Sequence, residues 1–295
     1  RLAVHFDSDV DDTVMPEQTL DYPRLHSARF HDSVPPALVK TAQKFWENVT
    51  SLDLASAEFF DSSNDLICIL QQCPLLDTLS FSNLRRGSTS NLPIQLPRLT
   101  SLYVELEANK HTWIFRQMVV PSLKNLHLFS NATVNLVPVR DMLVSSRCSL
   151  IHFDFRASTA AETSEWYIPG LRTLLTACTT VTSARLPILH MKIANGFAKG
   201  EFLPSLSHLY LCVHPDAAIA SLDLLAKRTE HDEKRDGGEI IRGVVLDCTT
   251  DEATFAKSGI DTWRKRDGFE VVGLHIDTHE LRSWEIDINE WAKTF

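Results

Sequence analysis

The chain contains 295 residues, of which 44% are hydrophobic, and this is enough apolar material to bury a large core. Its formal net charge of -9 disfavours a nucleic acid or an anionic membrane surface as the partner, since both attract basic proteins. No apolar run reaches the roughly 18 residues that span a bilayer. No signal peptide is recognisable, and because the chain starts at Arg1 without a Met, we expect upstream residues to be missing.

An apolar pattern recurs along the chain: L-x-x-L-x-L, in which any apolar residue can occupy the three L positions. The segments PSLKNLHLF and PSLSHLYLC are clear copies. The first L positions of ten copies are Leu25, Val49, Leu76, Leu99, Leu123, Leu150, Val181, Leu206, Ile241 and Val271, and Val4 with Phe6 forms part of one more. Successive copies are 23 to 35 residues apart, whereas leucine-rich repeats without insertions are about 20–29 residues long.

The alternation of side chains along a strand explains this pattern. The last two apolar positions of each copy point to the same side of the strand, and stacked copies can bury that side in a continuous core. The pattern therefore predicts an α/β leucine-rich-repeat solenoid (horseshoe), with short parallel strands on the concave face and helices on the convex face. We expect residues 1–295 to form a single leucine-rich-repeat domain of about ten or eleven irregular repeats.

Apolar residues at helical spacing predict helices between the strands. The predicted helices span Asp65–Gln72, Val139–Ser146, Trp166–Ala177, Met191–Phe197 and Ala217–Lys227. Asp65 is a candidate N-cap, and Pro169 within the third helix marks an early turn or a kink. The polar run Lys227–Gly238 is interpreted as an exposed loop between two repeats.

Three of the six cysteines occupy similar places in their repeats. Cys73 and Cys178 precede the first apolar position by three residues and Cys148 by two, where a helix would end and the chain re-enters the core. A small buried side chain fits this place, so a packing role is favoured over a redox role. No CxxC pair is present, so no zinc site is expected. Reduced cysteines indicate an intracellular protein of the cytoplasm or nucleus.

The candidate binding residues are the outward positions of the predicted strands. The first outward row, between the last two apolar positions of each copy, contains His5, Arg29, Asp53, Ser80, Tyr103, His127, Asp154, Arg185, Tyr210, Val245 and His275. The second outward row, directly after the last apolar position, contains Asp7, His31, Ala55, Ser82, Glu105, Phe129, Arg156, Pro187, Cys212, Asp247 and Asp277. Aromatic rings and arginines are enriched at interfaces. The predicted protein-binding residues on the concave face are Tyr103, Glu105, His127, Phe129, Asp154, Arg156, Arg185 and Tyr210; the alternative is a face that is only hydrated.

Enzyme signatures are missing from the sequence, which contains no GxSxG, HExxH, P-loop or GxGxxG segment. We therefore expect a protein that is not an enzyme and that needs neither a cofactor nor a metal. The segment His275–His279 alternates along a predicted strand and could suggest a metal site, but without a further ligand at a telling spacing a solvated strand face is favoured. The acidic residues within Asp7–Asp12 could attract cations or a basic partner, and a solvated loop is again favoured.

Three segments, Cys73–Leu79, Leu96–Leu102 and Phe202–Leu209, resemble the repeat region of fungal F-box proteins, whose uneven leucine-rich repeats carry helices between the strands. The resemblance covers nearly all of the chain. It implies that an F-box, expected upstream of Arg1, docks on a Skp-type adaptor of a Skp-cullin-F-box ubiquitin ligase while the repeats recognise a protein substrate. The alternatives are a leucine-rich-repeat scaffold of another intracellular assembly and a hydrolase-like enzyme on an α/β frame.

Overall fold

The computed structural model describes residues 2–6, 25–30, 34, 43–55, 63–82, 93–106, 112–130, 134–157, 170–187, 191–213, 223–225, 227–228, 231, 243–248 and 270–271. The chain divides into two compact units, Arg1–Thr180 and Val181–Phe295. Both units contain helices and strands, and the strand pairs described within each unit are parallel. The predicted α/β class with a large parallel sheet is therefore confirmed.

The long sheet of the first unit is built from one strand per apolar copy. Its described strands are β1 (Leu2–Phe6), β2 (Leu25–Phe30), β3 (Ser51–Leu54), β4 (Thr78–Phe81), β6 (Ser101–Leu106), β8 (Asn125–Ser130) and β9 (His152–Ala157). They lie side by side in this order. Leu79 pairs with Leu102, and Leu126 pairs with both Leu102 and Phe153, so each copy meets the next at the same position of the pattern.

Two short strands of the first unit lie outside the long sheet. β5 (Ile94–Gln95) and β7 (Met118–Val119) pair in parallel in a separate two-stranded sheet, which the apolar pattern did not predict. Each of these strands has only two residues, which is too short for a periodicity to be recognised. The helices are α1 (Gln43–Trp46), α2 (Ser63–Gln71), α3 (Val137–Ser146) and α4 (Leu171–Ala177), with a 3-10 turn at Ile114–Arg116.

The predicted helices of the first unit are present. α3 and α4 end at the predicted Ser146 and Ala177, but none of the three predicted helices begins at the predicted residue. α2 begins at Ser63, so Asp65 lies inside the first turn, where a carboxylate favours the positive end of the helix dipole, and its predicted N-cap role is wrong. α4 begins at Leu171 instead of Trp166, directly after Gly170, whose φ of 84° is left-handed. A Cβ at position 170 would lie 2.6 Å from the backbone nitrogen of Val137, so this turn requires glycine. Pro169 lies outside the described residues.

The core of the first unit lies beneath the long sheet. The inward residues Leu79, Leu102, Leu126 and Phe153 stand in adjacent strands and are each at most 1% exposed. Because side chains alternate between the two faces of a strand, this burial fixes the intervening residues on the outward face. The two outward rows are therefore where the sequence pattern predicted them in the described part of this sheet.

The second unit continues the same strand pattern. Its described strands are β10 (Ser183–Leu186), β11 (His208–Val213), β12 (Gly243–Cys248) and β13 (Glu270–Val271), and each pairs in parallel with the next. Helix α5 (Met191–Ala198) ends one residue later than predicted. The copy with the poorest apolar match is nonetheless fully packed, since Val181, Ala184 and Leu186 are each at most 1% exposed.

Arg228 contradicts the prediction that Lys227–Gly238 is an exposed loop. It lies in helical backbone, and its side chain is completely buried. Its Nη1 donates to the carbonyl oxygens of Phe197 (3.1 Å) and Phe202 (2.9 Å), its Nη2 donates to that of Leu203 (3.0 Å), and the guanidinium lies 5.2 Å from the Phe197 ring centroid. These carbonyls accept the hydrogen bonds that the guanidinium would otherwise donate to water. The charge of the segment therefore did not indicate whether Arg228 is exposed.

Several predictions concern residues outside the described part of the chain. They include the acidic Asp7–Asp12 cluster, His31, the polar residues 232–238, the segment His275–His279 and Asp277 within it. Among the residues that the structure describes, none of the helices combines the length and apolar character needed to cross a membrane.

Candidate binding face

Six of the eight predicted binding residues lie on three neighbouring strands of the first unit. We call this set the central face: Tyr103, Glu105, His127, Phe129, Asp154 and Arg156. Strand register aligns Tyr103, His127 and Asp154 in the first outward row and Glu105, Phe129 and Arg156 in the second. Parallel pairing in register therefore places these six residues at neighbouring positions of β6, β8 and β9.

Two aromatic rings stack at the centre of this face. Tyr103 on β6 and His127 on β8 have ring centroids 4.2 Å apart and an interplanar angle of 8°. The stack leaves His127 only 8% exposed, whereas Tyr103 is half-buried. His127 Nδ1 lies 3.5 Å from Asp154 Oδ2, longer than an ordinary hydrogen bond. Tyr103 is therefore the ring of this pair that a partner can reach.

Asp154 and Arg156 form the charged part of the central face. Arg156 Nε donates to both carboxylate oxygens of Asp154, at 3.2 and 3.0 Å, and Nη2 donates to Oδ2 at 2.7 Å. The Asp154 side chain is 2% exposed and that of Arg156 is 24% exposed. A carboxylate this deeply buried requires a compensating charge. A partner would therefore contact the Arg156 guanidinium, with Asp154 beneath it as the residue that positions it.

Replacing Arg156 with methionine is expected to lower the free energy of unfolding by about 2–4 kcal/mol, because the buried Asp154 carboxylate loses its cation. The double variant Asp154→Asn with Arg156→Met should be more stable than Arg156→Met, since it removes the uncompensated charge. Urea unfolding of the three proteins measures the difference. Equal stability of Arg156→Met and the unmodified chain would show that other groups compensate Asp154.

The second outward row places an acid, a ring and a base next to each other. Phe129 on β8 pairs with Glu105 on β6 and with Arg156 on β9, and all three side chains are half-buried. Neighbouring strands are about 4.8 Å apart, so one extended ligand segment can reach the three residues together. The row offers apolar contact area with opposite charges on its two sides.

Beside the central face, the sheet carries smaller side chains. Ser80 on β4 pairs with Tyr103 on one side and with Asp53 on β3 on the other. The Asp53 carboxylate contacts Arg29 Nε at 2.7 Å and accepts a hydrogen bond from the backbone nitrogen of Ala55 at 3.1 Å. The side chain of Asp53 is 27% exposed. Asp53 and Ser80 belong to the first outward row but were not predicted binding residues, since small polar residues carry no interface signal of their own.

The other two predicted binding residues belong to the second unit. Arg185 on β10 pairs in register with Tyr210 on β11, and the Arg185 Cζ lies 4.0 Å from the Tyr210 ring centroid. Guanidinium groups stack on aromatic faces in this way because the planar cation is weakly hydrated and attracted to the ring quadrupole. Pro187 and Ser82, both in the second outward row, are buried and contribute little outward surface.

Cys73 and Cys178 are buried, which supports a packing role for them, whereas Cys68 is exposed. Burial raises the pKa of the Cys73 and Cys178 thiols to about 12, and burial also raises the pKa of Cys148. These thiols therefore stay protonated at neutral pH, which disfavours nucleophilic or metal-binding chemistry. Cys148 and Cys178 line a cavity of about 200 Å³ on the helical side of the first unit. Within the described ranges, no group of three or more His, Cys, Asp and Glu side chains is arranged to hold a metal ion.

Comparison of the sequence with protein-family models gave no match, and neither did comparison with curated proteins. The resemblance to fungal F-box proteins therefore stays an expectation from the three repeat segments. What the chain can bind has to be inferred from the chemistry of the outward rows.

Proposed function

We propose that the chain is a leucine-rich-repeat solenoid that binds another protein through the outward rows of its strands. The observation that carries this proposal is the central face, where parallel register brings Tyr103, Phe129 and Arg156 onto three adjacent strands. Aromatic residues and arginine contribute most to the energy of protein interfaces. Rigid strands beneath them also reduce the entropy that binding would cost.

The solenoid part of the proposal is supported by the regularity of the repeat. Ten copies of the apolar pattern follow one another at 23 to 35 residues. Within each unit, every described strand of the long pattern pairs in parallel with the next, and the described parts of the connections contain helices, turns or a two-residue strand. A unit of this kind cannot bury its apolar side alone and is stabilised by stacking on its neighbours.

The paired substitution Tyr103→Ala with Tyr210→Ala is expected to weaken binding of the partner by at least about tenfold, because removing an interface aromatic commonly costs more than 1 kcal/mol. The partner is first isolated by pull-down on the 295-residue chain, identified and purified, and its affinity is then measured by titration calorimetry. Circular dichroism checks that the variant remains folded.

The matched control is Gln95→Ala with Arg98→Ala, since both side chains are exposed and Gln95 belongs to the separate two-stranded sheet. Binding that survives in the tyrosine variant and disappears in this control would assign the interface to the surface around the two-stranded sheet. Binding that survives in both would remove the central face from consideration.

The most specific form of the proposal is the substrate-binding arm of a Skp-cullin-F-box ubiquitin ligase in an intracellular compartment. Its support is the resemblance of the repeat segments, together with the free cysteines Cys68, Cys73, Cys148 and Cys178, which suit a reducing environment. The test is binding of a purified Skp-type adaptor to the full-length gene product. No binding by that product would leave a leucine-rich-repeat scaffold of another assembly as the favoured function.

A hydrolase-like enzyme is the alternative of a different class. One observation favours it, because His127 lies beside the Asp154 carboxylate as a catalytic base lies beside its orienting acid. However, Arg156 donates to both oxygens of that carboxylate, and the stack on Tyr103 leaves His127 8% exposed. A substrate would reach such a histidine poorly. Hydrolysis of p-nitrophenyl acetate that is lost in His127→Ala would support the enzyme instead.

A further inference from the structure

We propose that Asp53, Ser80 and Tyr103 form a slot that receives an arginine side chain of the protein partner; this proposal rests on the protein-binding function proposed above. The three residues occupy the same outward row on the adjacent strands β3, β4 and β6. They lie directly beside the central face. We call this set the arginine slot.

In the arginine slot, the larger side chains of Asp53 and Tyr103 stand on either side of the small Ser80 side chain. Neighbouring strands are about 4.8 Å apart, so Asp53 and Tyr103 are separated by about 10 Å with Ser80 between them. The Tyr103 ring is parallel to the His127 ring on its β8 side. The opposite face of the Tyr103 ring is therefore directed toward β4, above Ser80. A planar group that lies against this face would reach the Asp53 carboxylate.

The Asp53 carboxylate and the Tyr103 ring are groups that a guanidinium can bind. Asp53 accepts from Arg29 and from the backbone of Ala55, and a carboxylate can accept about four hydrogen bonds. With 27% of its side chain exposed, Asp53 can accept a further donor from solvent or from a partner. A guanidinium combines stacking on an aromatic face with directed donors, whereas the lysine ammonium is a compact, strongly hydrated charge. The net charge of -9 also attracts basic partners.

The second unit contains the same arrangement with the arginine supplied by the chain itself. Arg185 on β10 and Tyr210 on β11 are paired in the first outward row, and the guanidinium lies 4.0 Å from the ring centroid. Ser80 on β4 and Tyr103 on β6 are paired in the same row and in the same strand order. The strand geometry of the second unit thus places an arginine against a tyrosine, whereas the first unit has Ser80 at the position that corresponds to Arg185.

Binding of Nα-acetyl-arginine amide to the full chain tests the proposal by NMR of the amide groups. We expect saturable shifts at Asp53, Ser80 and Tyr103, and at least about threefold weaker binding of the lysine and citrulline analogues, which lack stacking or charge. Asp53→Asn and Tyr103→Leu should weaken binding by a similar factor, whereas Tyr103→Phe should retain it. Ser80→Arg should abolish binding, because it recreates the Arg185–Tyr210 pair and fills the slot.

Equal shifts with citrulline, or shifts unchanged in both Ser80→Arg and Asp53→Asn, would overturn the arginine slot. Gln95→Ala, in the separate sheet, is the control that should leave the shifts unchanged. The result is distinguishable from failure of the proposed function. If the probe does not bind but Tyr103→Ala with Tyr210→Ala still weakens partner binding, the arginine slot alone is wrong. If neither is observed, the binding face itself is wrong.

Discussion

Replacing Arg228 with methionine is expected to lower the free energy of unfolding by about 3–5 kcal/mol, the range for breaking a buried charged network. Methionine keeps much of the volume but supplies no donor for the carbonyls of Phe197, Phe202 and Leu203. The carbonyls of Phe197 and Leu203 keep the hydrogen bonds that they accept from the backbone nitrogens of Gly200 and Leu206. The loss therefore comes from the hydrogen bonds to the charged guanidinium, which contribute about 1.5–3 kcal/mol each. Guanidinium chloride titration, followed by circular dichroism, measures the loss.

Two further variants separate the hydrogen bonds from the charge. Arg228→Lys keeps the charge. The compact lysine ammonium cannot place its donors in the planar arrangement with which the guanidinium reaches three carbonyls, so we expect most of the loss in unfolding free energy to remain. Lys227→Ala removes an exposed neighbouring cation and should change stability by less than about 0.5 kcal/mol. If Lys227→Ala lowered the free energy of unfolding as much as Arg228→Met, this would contradict a stabilising role of the buried hydrogen bonds of Arg228.

Much of the fold could be predicted because burial and strand period agree at nearly every repeat. A residue such as Leu102 is apolar, stands at the second L position and meets Leu79 and Leu126 across the sheet. Apolar character, position in the repeat and the equivalent residues of the neighbouring copies thus all favour the same placement of this residue. The ten copies repeat this agreement. Even the poor copy at Val181 follows the rule, since small Ala184 still packs at 1% exposure when its neighbours are apolar.

Features without periodicity could not be predicted in this way. β5 and β7 have two residues each, and their pairing depends on contacts between connections that the sequence pattern does not encode. The start of α4 depends on Gly170, whose left-handed backbone and close approach to Val137 are visible only in three dimensions. Arg228 lies in a charged segment that resembles a loop. Its burial depends on hydrogen bonds to carbonyls 25 to 31 positions away in the chain, which the local sequence does not show.

The central face was predictable in position and only partly in chemistry. The period of two placed Asp154 and Arg156 on the outward side, next to Phe129 and His127. The sequence could not show that Arg156 covers the Asp154 carboxylate or that Tyr103 covers one face of His127. These contacts depend on side-chain conformations. Tyr103, Phe129 and Arg156 are half-buried, whereas His127 and Asp154 are buried.

Leu126→Ala is expected to lower the free energy of unfolding by about 2–5 kcal/mol, because truncation of a buried leucine loses apolar contacts and leaves a cavity. Leu126 is 0% exposed and pairs with Leu102 on one side and Phe153 on the other, so rigid strands on both sides limit collapse of the cavity. Val144→Ala is the control, since Val144 is 60% exposed on α3 and its truncation should cost less than about 0.5 kcal/mol. Urea titration of both variants decides between burial and a general intolerance of the chain to truncation. A loss well below 1 kcal/mol for Leu126→Ala would mean that the strand register, and with it the outward position of His127, is wrong, because a shift of one residue exchanges the two faces of a strand.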